Sequence, residues 1–265
     1  MSASAVVLVL VASFGHALWN ARTHSGSDRL GTLVVSYYVG ALWLTPWLVL
    51  EPPFEVWWLL LVSGCLHASY ITALAAAYDR GALAVTYPIA RGSAPLVVAA
   101  LGIQFLDQVP TALTVVGAAL VALGLLLIGN VGWGTGQRRA LALALTTGFV
   151  IGGYTLVDAR AVEDVNGWAF FAASSYLGAT LAIVANRVPV ERLRASARSG
   201  ALVGLASSSS YALVLLAYTR ADAANVATLR STSILFGLAL VPRTLTRSLV
   251  AGGVLTVAGV ALVTL

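Results

Sequence analysis

Three charged residues sit where charge is expensive. Arg91, Asp158 and Arg230 each fall within a long apolar run. A charge at the centre of a bilayer costs about 2.5–3.5 kcal/mol on insertion scales, so such residues are the first places to look for function. Arg91 lies between Pro88 and Pro95. Two prolines can open a helix and free carbonyls, which is tolerated only against protein or a wet cavity. The planar guanidinium fork suits a carboxylate or a phosphate. The competing reading of Arg91 is a structural pair with Asp158, or snorkelling to an interface. Arg230, nearer the end of its segment, offers the same anion chemistry. Asp158 follows Tyr154 by four residues, so the two share one helix face. It reads as a proton-titrated carboxylate or a counter-ion for a substrate amine, and otherwise as a helix-end residue in ordinary water. His16, Trp19 and Asn20, at i, i+3 and i+4, also share a face. They offer a group that titrates near neutral pH, a stacking wall, and an amide that both donates and accepts. The bland alternative is a polar seam between helices with an interfacial Trp. Tyr70, Tyr87 and Tyr211 lie deep enough to line a cavity, whereas Tyr78 and Tyr218 fit an aromatic belt. His67, alone on an apolar helix, reads as a packing residue. The run Ser207–Ser210 fits close helix packing better than substrate binding.

The elements that must hold these groups are membrane helices. The chain has 265 residues, of which 59% are hydrophobic and 9% charged. A soluble domain carries about 25% charged residues, so this chain lacks the charge to cover a wet surface. Ten apolar segments approach the roughly 20 residues a spanning helix needs. They run about 5–23, 30–50, 56–78, 82–105, 111–131, 140–159, 167–186, 200–218, 225–240 and 248–265, the ninth short and interrupted by Arg230. The first resembles a signal peptide in length but lacks a positive n-region, and reads as a retained helix. Gly, Pro and charge mark the gaps, and the longest polar loop, 187–199, cannot hold a soluble domain. The fold class expected is all-α integral membrane. The lone Cys65 gives no disulfide pair or metal cluster. No HExxH pair, GxSxG elbow or Walker loop is present, so the expectation is not an enzyme, with no metal and no cofactor. Transport, if that is the function, would be driven by a proton or ion gradient or be facilitative.

The chain repeats. A shift of about 140 residues lays Tyr70 on Tyr211, and Ala77-Tyr78-Asp79-Arg80 on Ala217-Tyr218-Thr219-Arg220. Arg91 then falls within one residue of Arg230, and the Gly-rich helix around Gly117 and Gly124 falls on the one around Gly259. Residues 1–131 and 140–265 are thus expected to be two five-helix repeats. Five is odd, so the second copy must enter the bilayer upside down, as in many transporters. Charge agrees. Eleven of the fifteen arginines, from Arg22 and Arg29 to Arg243 and Arg247, fall on one side; the other holds Arg160 and Arg220 with six acidic residues. Short basic loops face the cytoplasm, which puts both termini outside. The formal charge of +5 is thereby read as loop charge that sets topology, and no nucleic-acid partner is expected. The expected partners are a small-molecule substrate and the lipid bilayer of a plasma (inner) membrane, and nothing specifies an oligomeric state.

Ten short helices in an inverted five-plus-five repeat resemble the drug/metabolite transporter superfamily, in particular its EamA-type branch. The resemblance covers the whole chain. It rests on Gly15-His16-Ala17-Leu18-Trp19-Asn20, on Tyr78-Asp79-Arg80-Gly81-Ala82, and on Ala90-Arg91-Gly92-Ser93-Ala94-Pro95-Leu96. Tyr154-Thr155-Leu156-Val157-Asp158 and the Gly-rich ends of helices 5 and 10 complete it. The resemblance implies alternating access around a cavity lined by helices 1, 3, 4, 6, 8 and 9, and small metabolites, often exported, as substrates. Three features depart from the pattern. The second-half turn reads Thr219-Arg220-Ala221-Asp222, helix 9 has no match for Pro95, and the charge bias puts the termini outside where the family's are usually cytoplasmic. The function expected is secondary transport of a small polar or amphiphilic metabolite, an amino acid or organic anion. The residues expected to bind it are His16, Trp19, Asn20, Tyr70, Tyr87, Arg91, Tyr154, Asp158, Tyr211 and Arg230. The alternatives are an intramembrane enzyme, a lipid-handling protein, or a non-transporting assembly subunit.

Overall fold

A computed structural model describes residues 1–81, 83–129, 138–239 and 246–264. Among these residues there are twelve α-helices, one 3-10 turn and no strand. The helices are α1 Ala3–Ser25, α2 Arg29–Leu50, α3 Trp57–Arg80, α4 Leu83–Leu106, α5 Ala112–Gly129 and α6 Arg138–Ala161. There follow α7 Gly167–Asn186, α8 Val190–Ala195, α9 Ala197–Tyr218, α10 Ala223–Arg230, α11 Ser233–Ala239 and α12 Arg247–Thr264. Seven of them (α1, α2, α3 with its preceding turn, α4, α6, α7 and α9) are long and apolar enough to cross a membrane. That is what a multi-pass membrane protein requires. Two more, Ala112–Ile128 and Arg247–Val263, are apolar but shorter. The expected segment ends at Ala82, Val131, Leu240 and Leu265, and Arg243, lie outside the described residues.

Two expectations need correction. The long polar loop contains a short helix, α8, none of whose residues is buried. The ninth expected segment, 225–240, is two helices. After Arg230 the backbone tightens to i→i+3 bonds: the Ser231 and Thr232 amides donate to the Thr228 and Leu229 carbonyls, both at 3.1 Å. Hydroxyls here compete for the helix carbonyls, as Ser and Thr do when the ladder is loosened. Thr232 Oγ1 donates to the Leu229 carbonyl at 2.8 Å. In contrast, α4 runs unbroken through Pro88 and Pro95. Proline at position 95 still removes the amide that would bond the Arg91 carbonyl. That carbonyl instead accepts from Ser231 Oγ at 3.4 Å. The Arg230 carbonyl, at the other break, accepts from Ser13 Oγ at 3.3 Å. Buried carbonyls freed at depth are thus satisfied from neighbouring helices, as an apolar surrounding demands.

The packing is pairwise. α1 lies on α9 and on α10–α11, α2 on α7 and α9, and α3 on α6 and α7; α4 lies on α5 and α6, and α5 on α12. The α5–α12 crossing is a close one. A Cβ on Gly124 would lie 2.5 Å from the Gly252 carbonyl oxygen, and one on Gly117 would lie 2.6 Å from that of Gly259. Small residues at such a seam let backbones meet where no hydrophobic force drives helices together. At the end of the molecule where α1 meets α2, ion pairs tie the loops. Arg192 on α8 grips Asp28 with Nε at 2.7 Å and Nη2 at 2.8 Å. Arg29 reaches Asp79 at 2.8 Å.

Candidate functional site

A cavity of about 40 Å3 lies in the middle of the helices. α1 gives it His16 and Trp19; α2 gives Leu33, Ser36, Tyr37 and Gly40; α3 gives His67 and Tyr70. Tyr154 enters from α6, Phe171 from α7, Ser207, Ser208 and Tyr211 from α9, and Arg230 from the end of α10. Every one of these residues is buried or half-buried. The walls are aromatic and interlocked. Tyr154 stacks on His67 with centroids 4.6 Å apart and rings 25° from parallel. Tyr70 meets Tyr154 edge-on at 5.7 Å, and Phe171 tilts against Tyr211 at 4.7 Å. A tighter void, without room for a water molecule, adjoins it, sharing His16, Tyr211 and Arg230 and adding Arg91 and Ser210.

Asp158 anchors one wall from behind. It is fully buried and accepts Ser63 Oγ on one oxygen at 2.6 Å. Its other oxygen accepts the Tyr211 hydroxyl at 2.6 Å and faces His67 Nε2 at 3.3 Å. The second ring nitrogen of His67 lies 3.0 Å from the Tyr37 hydroxyl. With Asp158 ionised, His67 donates to it from Nε2, and the Tyr37 hydroxyl can bond the Nδ1 nitrogen as donor or acceptor. Buried carboxylates are tolerated when hydrogen-bonded in this way.

The guanidiniums have no such carboxylate. Among the described residues neither Arg91 nor Arg230 makes an ion pair. Arg230 donates to the Tyr218 hydroxyl at 3.1 Å and lies over the Tyr211 ring, 5.2 Å from its centroid. Arg91 is 5% exposed; Tyr87 is within hydrogen-bonding reach of it, but its Nε and Nη2 have no partner. On α1, Trp19 Nε1 donates to His16 Nδ1 at 3.1 Å. His16 must then accept at Nδ1 and keep Nε2 as its free donor.

The likeness to known proteins is one of fold. No family model matches the chain, and no curated protein matches it. One protein known from its crystal structure superposes over 98% of this chain and 96% of its own with a TM-score of 0.67, at 18% identity. At that identity the likeness carries no function.

Of the ten residues singled out from sequence, six line the main cavity: His16, Trp19, Tyr70, Tyr154, Tyr211 and Arg230. Arg91 lines the adjoining void. Asp158 stands behind the wall, neither in ordinary water nor paired with Arg91. Asn20 and Tyr87 do not line either void. Asn20 Nδ2 donates to the His16 carbonyl at 2.9 Å and its Oδ1 accepts from Tyr78 at 2.8 Å, so it ties α1 to α3. Tyr78 is therefore a buried strut and not part of an aromatic belt. Tyr87 pairs with Ser233 at 3.1 Å. His67, read from sequence as packing, is instead a cavity residue that joins Tyr37 to Asp158. Its spacing was the available signal: Ser63, His67 and Tyr70 fall at i, i+4 and i+7, one face of α3. Tyr37, Ser36 and Phe171 carried no comparable mark. Ser208, read as packing, lines the cavity and accepts from Trp43 Nε1 at 2.6 Å.

Proposed function

We propose that the chain is a secondary transporter of a small polar or amphiphilic metabolite, an amino acid or an organic anion, working by alternating access. One observation carries this reading: two buried guanidiniums without a carboxylate lie together among the helices, Arg230 on the central cavity and Arg91 in the tighter void beside it. A guanidinium kept there without a partner is costly unless an anion visits it. An intramembrane enzyme would need reacting groups converging on one point in the cavity, and the acid that bonds to the cavity residue His67, Asp158, sits behind the wall with both oxygens taken.

The architecture proposed is ten crossings in two inverted repeats, 1–131 and 140–265, with α10 and α11 forming one crossing and α8 lying in a loop. The packing supports it. Exchange α1 with α6, α2 with α7, α3 with α9, α4 with α10–α11, and α5 with α12. The α3–α6 contact then becomes α9–α1, α3–α7 becomes α9–α2, and α4–α6 becomes α10–α11 with α1; α5–α12 and α2–α7 return to themselves. This fits membership of the EamA-type drug/metabolite transporters, a plasma (inner) membrane location with the Arg-rich loops in the cytoplasm, and drive by a proton or ion gradient or by the substrate's own.

The test is uptake into proteoliposomes. Arg91→Ala and Arg230→Ala should each lower uptake of an anionic substrate at least about tenfold, the worth of one charge-assisted hydrogen bond. Wild-type uptake by both variants of every transported compound would remove the anion site from the mechanism.

A further inference from the structure

The two voids differ in chemistry, and the difference selects among ligands. The smaller is cationic. Arg91 brings two buried donors without partners, Arg230 brings its charge, and His16 lines the same space. The larger is walled by flat rings. Among the described residues, no carboxylate lines either one. Asp158, the nearest acid, has both oxygens taken and is fully buried. A ligand's ammonium group would therefore find no counter-ion. Aromatic faces can hold an ammonium, but the face of Tyr211 already carries Arg230, and both guanidiniums would repel a second cation.

We propose that the ligand is an organic carboxylate without an ammonium group, its carboxylate held between Arg91 and Arg230 and its flat apolar body seated among Trp19, Tyr70 and Tyr154, which must part to admit it. That the ligand is moved across a membrane rests on the transporter reading above; that it binds in this way does not. Guanidinium forks match a carboxylate's two oxygens, so the head gives orientation and the rings give apolar contact.

The experiment is thermal unfolding of the purified full-length protein in nanodiscs at neutral pH, with four probes of matched shape. 3-Phenylpropionate carries ring and anion, phenylalanine adds the ammonium, phenethylamine keeps only the ammonium, and propionate keeps only the anion. A ligand that binds only the folded state raises its stability. 3-Phenylpropionate should raise Tm by at least about 2 °C, propionate by less, and phenylalanine and phenethylamine by little or nothing. A shift from phenylalanine or phenethylamine equal to that from 3-phenylpropionate would overturn the proposal, and so would no shift from any probe. Arg91→Gln removes an unsatisfied buried charge, so the empty protein should melt no lower than wild type while its response to 3-phenylpropionate is lost. Arg91→Lys keeps the charge without the fork and should weaken the response; a full response in either variant rejects the placement of the head. Counterflow in proteoliposomes separates the two claims. Binding of 3-phenylpropionate without exchange would defeat the transporter and leave the ligand assignment standing. Exchange of phenethylamine as fast as 3-phenylpropionate would defeat the assignment and leave the transporter standing.

Discussion

Tyr211 is the residue on which the site turns. Its hydroxyl is spent on Asp158 and its ring on Arg230, so whatever moves the carboxylate moves the platform under the guanidinium. Replacing Asp158 with Ala would leave three buried groups, on Ser63, His67 and Tyr211, without their acceptor. Breaking a buried charged network in this way costs about 3–5 kcal/mol. We expect Asp158→Ala to lower Tm sharply and to abolish ligand-induced stabilisation. Tyr211→Phe, which keeps the ring, should cost only about 1–2 kcal/mol and retain part of the ligand response. Scanning fluorimetry with and without ligand checks both; equal losses in the two variants would mean the hydroxyl, not the carboxylate, holds the wall. Charged residues in apolar runs are conspicuous in a sequence, and Arg91, Asp158 and Arg230 stood out on that ground alone. His67 and Tyr37 did not, because a ring's role depends on what faces it from another helix. Asn20 and Tyr87 erred the other way: their polar groups satisfy neighbouring helices, and helix-face periodicity cannot separate a seam from a cavity.

Among elements, the broken α10–α11 and the tight α5–α12 crossing carry opposite mechanical roles. The break ends a helix at Arg230 and places its guanidinium at the cavity, while the glycine seam brings two helix backbones into contact. A methyl added at Gly124 meets the carbonyl of Gly252, and overpacking of this kind costs about 1–3 kcal/mol. Gly124→Ala should lower Tm accordingly. Gly253→Ala on α12, where the added Cβ meets nothing within 4 Å, should not; equal effects would show that helix propensity and not the crossing governs. The apolar runs were legible because a spanning helix must hide every backbone group within itself. The break was not, since Leu229-Arg230-Ser231-Thr232-Ser233 can continue a helix or end one, and the choice is made by what receives the freed carbonyl, here Ser13 on α1. Helix α8 was hidden for a related reason: a six-residue helix without a buried face leaves no periodicity in the sequence.

For the whole molecule, the question is which end faces which compartment. The loops bearing Arg22, Arg29, Arg80 and Arg192 meet at one end, where Asp28 is gripped by Arg192 and Arg29 by Asp79. Burial opposes ionisation of Asp28, but bonds from Arg192, the Gly31 amide and Ser196 outweigh it, so its pKa lies below the ordinary carboxylate value. A folded-state pKa below the unfolded one adds stability that is complete above the unfolded value, about 4, and is lost as pH falls through the folded value. The clasp is therefore intact at any cellular pH. It should release only in strong acid, seen as a steeper loss of Tm below about pH 4 in wild type than in Asp28→Ala. If the Arg-rich end is cytoplasmic, Ser2 lies outside, because α1 separates it from Arg22 and Arg29. A single cysteine at Ser2 in a Cys65→Ser background should then react with an impermeant maleimide in intact cells. One at Ser199, beside the clasp, should react only after lysis. The reverse pattern would place the clasp outside and show that the short-loop charge bias does not set the orientation of this chain. Labelling of both sites in intact cells would mean a mixed population, the outcome expected if the charges of the two loop sets were too closely matched to orient it; with eleven arginines against two, a single orientation is expected.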